Sequence, residues 1–242
     1  MEIQGDMHNQ IMGYDRTSTM FSPDGHLLQV EYAEKTVRLG SASIGMICKD
    51  GVLIVSDKRI KDKLIADNSA SKIYEIDTNI MATAAGILSD ARVLIERARL
   101  IAQQNRVTYN ESIEVESVMR EIANIKQAYS QYGGARPFGV SIMIAGISKS
   151  KGKIFVSDVT GNYLSYKATA IGENDEKIKE ELRKEYNENL KIEDGIKIAL
   201  KIFKKVLEKN FDISRIEAAY IKLDEKKIKR LKEEELKKLV KI

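Results

Sequence analysis

The chain has 242 residues, 31% of them charged, with 40 basic against 36 acidic, two prolines, one cysteine and no tryptophan. That length allows one domain with a full core, and the lone Cys48 excludes an intrachain disulfide and fits a reducing compartment. Basic residues alternate with acids, as in KIKEELRKEY, so the formal charge of +4 reads as solvated helix faces carrying surface ion pairs of the heat-tolerant kind, not as a nucleic-acid surface.

In chain order, residues 1–12 are polar, dotted with methionine and aperiodic, and are expected to lack fixed structure. They carry acids and no apolar core of a signal peptide, and the longest apolar runs, such as GVSIMIAGI, are too short for a bilayer. A cytoplasmic chain without membrane contact is expected. Ser22-Pro23-Asp24-Gly25 suits a type I turn, and a helix over 26–38 follows. Leu27, Val30, Ala33 and Val37 form one stripe of that helix, while Leu28 and Tyr32 lie away from it. Two apolar sides predict a second covering surface and hence an assembly.

Two β-rich runs around Lys49-Asp50-Gly51 form a hairpin, and IMATAAG is a further strand ending at Gly86. Ala91, Leu94, Ile95, Ala98 and Ala102 then mark one helix face behind a Ser89 or Asp90 cap. A second helix carries Val115, Val118, Met119, Ile122, Ile125 and Tyr129 and stops at Gly133-Gly134. Strands PFGVSIMIAGIS, GKIFVSD and NYLSYKATAIG come next. Another helix pair presents Ile178, Leu182 and Tyr186, then Ile192, Ile196, Ala199, Leu200, Phe203 and Leu207. A late strand, RIEAAYIKL, precedes a charged, solvated final helix. Helix pairs set between antiparallel strand groups predict an α+β fold, a four-layer αββα sandwich of two antiparallel sheets with helices outside and an N-terminal extension and helix.

Catalytic signals are few. His8 and His26 stand in no zinc-ligand spacing, and neither a GxxxxGK[ST] loop nor a GxGxxG turn occurs, so no metal and no cofactor are expected. YGGARPFG at 132–139 reads either as a ligand-binding glycine loop or as a helix stop leading into a buried strand. The second reading is favoured, with Arg136 free to reach across a subunit contact.

YDR at 14–16, FSPDGHLLQVEYA at 21–33, SDKR at 56–59, NSASKI at 68–73, DARVL at 90–94, YGGARPFGVS at 132–141 and YKATAIG at 166–172 together resemble the archaeal-type proteasome α-subunit family over nearly the whole chain. Glu34, where relatives often carry Arg, and a somewhat longer leader depart from the pattern. The resemblance implies a non-catalytic subunit with residues 1–13 as a mobile gate segment and 14–242 as one domain. It implies seven-membered α rings capping proteolytic β-subunits, unfolded protein as substrate, and an ATPase activator docking by its C-terminal tails. Lys72, Gly86, Leu27 and Glu31 map onto the activator pocket between neighbouring subunits, where the lysine would pair with a tail carboxylate. Tyr14, Asp15, Pro23 and Tyr32 map onto the cluster that forms when the gate opens.

Two alternatives stand beside this reading. One is a ring that orders β-subunits without gating. The other is a self-processing hydrolase, because Ser41, Asp57 and Lys72 resemble the positions of the catalytic residues in the proteolytic relatives. Cleavage after Gly40 would free a Ser41 nucleophile; without it Ser41 has no terminal amine to act as its base.

Overall fold

The computed structural model describes residues 12–59, 64–65 and 67–240. Most of the expected gate segment therefore lies outside the described residues. The helices are α1 (Leu28–Leu39), α2 (Leu88–Tyr109), α3 (Val115–Gln131), α4 (Asp175–Glu185), α5 (Ile192–Leu207) and α6 (Glu233–Val240). The strands are β1 (Ser43–Cys48), β2 (Gly51–Asp57), β3 (Ile73–Asp77), β4 (Ile80–Gly86), β5 (Val140–Ser148), β6 (Lys151–Ser157), β7 (Tyr163–Ser165), β8 (Ala168–Ile171), β9 (Ile216–Lys222) and β10 (Ile228–Arg230). They form two five-stranded sheets, ordered β10-β9-β2-β1-β8 and β3-β4-β5-β6-β7, with every pairing antiparallel.

Side-chain alternation along the strands builds the layers. Val52 and Ile54 of β2 meet Met81 and Ala85 of β4 between the sheets. The other face of β2, Leu53 and Val55, packs under α4 and α5 with Ile178, Ile196 and Phe203. The outer face of β4, Ile80, Ala82 and Ala84, packs under α2 and α3 with Leu94, Ala98, Val118 and Ile122. The expected αββα sandwich is what forms. The helix α1 lies across one end of it, with Val30 and Ala33 against Val159.

Several local expectations change. Leu28 is buried within the chain itself, so only Tyr32, half-buried, remains of the second apolar side of α1. The helix starts after His26 because the His26 carbonyl accepts from Ser22 N at 2.9 Å and belongs to the preceding turn. The run NYLSYKATAIG is two strands in different sheets. Tyr166 N donates to Ile154 O at 3.0 Å on one side, while Lys167 O accepts from Ile47 N at 2.8 Å on the other. The charged C-terminal run also divides, because Ile228–Arg230 adds an edge strand to β9 before the last helix begins. No described helix is long and apolar enough to cross a membrane.

Candidate functional site

Two stretches converge where α1 runs into β1. Gly40 ends α1 by donating its amide to Val37 O at 3.0 Å, and its carbonyl accepts from Glu173 N at 2.7 Å. A Cβ on Gly40 would stand 2.2 Å from Gly86 N, and one on Gly86, whose φ is +120°, would stand 2.2 Å from Gly139 O. Backbones stack this closely only where no Cβ intervenes. Gly139 is itself pinned, its carbonyl accepting from Ile87 N and from Thr36 Oγ1, each at 2.9 Å, and its amide donating to Asp90 Oδ2 at 3.0 Å.

Asp90 also receives both Arg136 terminal nitrogens, at 2.6 and 2.7 Å. The Arg136 hydrogen bond, with Gly139 N–H assisting, holds the Asp90 carboxyl below its usual range. Asp90 therefore anchors the 132–139 loop and does not cap α2, whose N-cap is Ile87. Arg136 is thereby paired within the chain. The glycine pair follows the end of α3 at Gln131, as the helix-stop reading requires.

The second stretch is Ser71-Lys72. Lys72 is only 5% exposed. Its Nζ donates to Ser41 Oγ at 2.8 Å and to Ser41 O, with Ala42 O at 3.5 Å. Glu217 holds the backbone of this corner, accepting from Lys72 N at 2.8 Å and Ser71 Oγ at 2.8 Å, and is paired with Arg230. Asp57, 1% exposed, takes Arg215 Nε at 3.0 Å and an Arg215 terminal nitrogen at 2.6 Å. Burial pushes the Lys72 ammonium down to about 7, against the pull of Asp57 and Glu217, while Arg59 adds to the fall.

Of the three positions that resemble catalytic residues, Ser41 and Lys72 are thus in contact, and Asp57 is engaged by Arg215. The Ser41 nitrogen is tied into the peptide bond that continues α1, so no terminal amine stands beside the hydroxyl.

The four residues mapped onto the activator pocket fall into two groups. Lys72 and Gly86 lie beside Gly40 and Ser41, at the C-terminal end of α1. Leu27 and Glu31 lie at its N-terminal end, where Glu31 Oε1 is 2.5 Å from His26 Nδ1. The 12-residue helix is about 18 Å long, and the stretch of it from Glu31 to its C-terminal end is about 13 Å.

The residues mapped onto the gate cluster surround that same N-terminal end. Tyr14 and Asp15 form a 3-10 turn, and Gln29 Nε2 of α1 donates to Asp15 O at 2.5 Å. Pro23 is exposed in a turn closed by Gly25 N donating to Ser22 O at 2.9 Å. Tyr32 carries the Lys35 ammonium 5.2 Å from its ring centroid.

Sequence reading missed Glu217, Arg215, Arg230 and the buried Lys126. Only Lys126 left a signal, four residues beyond Ile122 on the apolar stripe of α3. Glu217 meets Lys72 across 145 positions, a separation at which local pattern says nothing.

A family model described as Proteasome subunit matches residues 37–221, and a second, the N-terminal signature of the A-type proteasome subunits, matches residues 14–35. The proteasome alpha subunit of Archaeoglobus fulgidus is 45% identical over 96% of this chain and 94% of the relative. Its counterpart in Methanocaldococcus jannaschii is 44% identical over 94% of this chain and 87% of the relative. That of Methanosarcina thermophila is 42% identical over 93% and 91%. With both models matched and α1 filling the end of the sandwich where the signature lies, the chain belongs to the proteasome subunit family, as an α-subunit of the core particle.

Proposed function

We propose that this chain is a non-catalytic subunit that forms a seven-membered outer ring on the proteolytic β-subunits. Its N-terminal segment gates the entry of unfolded protein, and clefts between neighbouring copies receive the C-terminal tails of an ATPase activator, serving ATP-dependent degradation. Lys72 and Gly86 would come from one copy; Leu27 and Glu31 would come from the next. The observation that carries this reading is the separation of the two pairs towards opposite ends of α1, which favours their meeting in one pocket from neighbouring copies.

Gating follows from the turn at Ser22–Gly25, which is rigid at Pro23 and tethered to α1. Its displacement by a docked tail would shift the population of leader conformations toward an open pore. Deleting residues 2–13 is expected to raise hydrolysis of a short fluorogenic peptide by the α–β particle severalfold without activator. A truncated particle no faster than the intact one removes the gate and leaves the ring as scaffold alone.

The Ser41–Lys72 contact favours a second reading, hydrolysis after self-cleavage at Gly40. The intact mass of the assembled chain decides it, because that reading requires a species beginning at Ser41.

A further inference from the structure

Lys72 is a buried lysine whose Nζ, among the described residues, hydrogen-bonds only to oxygens of Ser41 and Ala42. Among the described residues no carboxylate contacts its Nζ, because Asp57 is taken by Arg215, and Glu217 is taken by Arg230 and the Lys72 backbone. A buried ammonium in that condition is stabilised by whatever oxygens it can reach. Those oxygens belong to Ser41 and, at longer range, to Ala42. The Ala42 carbonyl is already fixed by Asp57 N at 2.9 Å. The Ser41 hydroxyl, in contrast, turns about a single bond and is the partner most easily given up.

The geometry points to Ser41 as the residue that parks Lys72, so that a docking tail binds by exchanging its terminal carboxylate for the Ser41 hydroxyl. This rests on the docking reading above and adds a residue to it. The exchange gives the ammonium a carboxylate partner, and a charge-assisted bond replaces one to a neutral hydroxyl. Burial pushes Lys72 down to about 7 in the empty site, and a carboxylate placed beside it would favour the charged form. Ser41 acts only through Lys72 and is a positioning residue.

The test uses the α–β particle and a ten-residue synthetic peptide copying the C-terminus of the cognate ATPase, with either a free carboxylate or an amide end. Ser41→Ala removes the competing hydroxyl and is expected to bind the carboxylate peptide about three- to tenfold more tightly. It should bind the amide peptide as the unaltered particle does. Ser41→Thr keeps a hydroxyl and should restore the original affinity. A Ser41→Ala particle that binds the carboxylate peptide equally or more weakly overturns the parking role. Lys72→Met separates this failure from that of the docking reading. If Lys72→Met loses the carboxylate preference while Ser41→Ala changes nothing, docking stands and parking falls. If Lys72→Met binds both peptides as before, the docking reading falls and takes the parking role with it.

Discussion

At the residue scale, two lysines are buried for different purposes. Lys126 is wholly buried, and its Nζ ties α3 to the sheet beneath through Val140 O at 2.9 Å, Ser157 O at 3.2 Å and Ser157 Oγ at 3.0 Å. Burial pushes its ammonium down to about 7, against a smaller upward pull from Asp158. In the unfolded chain the same group titrates near 10.4. Between those values the unfolded state holds more protons, so stability should climb as pH rises from 7 toward 10, with the penalty of the buried charge fully present below 7. Lys126→Met should flatten part of that climb, leaving the share of Lys72. Urea midpoints of the isolated chain at pH 7 and pH 9.5 measure it, and an equal rise in the variant would refute the assignment. The only local sign of its burial is its place four residues beyond Ile122. Its acceptors, up to 31 positions away, carry no local mark.

At the element scale, long helices were legible because a period of 3.6 repeats within them, and the buried residues of α2 and α3 are nearly those the stripes picked out. Three-residue strands such as β7 and β10 are too short for alternation to register. The strand β3 carries no clear period either. Among its five residues Ile73 and Ile76 are buried, Tyr74 and Asp77 half-buried and Glu75 exposed, an edge pattern without strict alternation. Close backbone approach is equally invisible in sequence until two glycines meet. Gly86→Ala would force a methyl group to within 2.2 Å of Gly139 O at a φ of +120°. A cost of at least about 2 kcal/mol is expected, read as a lower urea midpoint. The ends of β4 and β5 should also separate there, and an unchanged midpoint would show that the stacked glycines are dispensable.

At the scale of the whole molecule, the crossing at Tyr166-Lys167 sorts the chain by when each sheet can be completed. Every strand of β3-β4-β5-β6-β7 lies in one uninterrupted length, 73–165, whereas the other sheet needs β1 and β2 from the front and β8 to β10 from the back. Closing the longer loop costs more entropy and comes later. Pulsed hydrogen exchange during refolding should therefore protect amides of β4 and β5 before those shared by β2 and β9, and the reverse order would exclude this sequence of events. On the ribosome, β2 waits with one edge unpaired until residues 216–222 emerge, although all seven of its residues are buried in the finished fold. An unfinished chain thus advertises its incompleteness as a bare, greasy strand edge. Chaperones and proteases can read that edge before the subunit ever meets its neighbours.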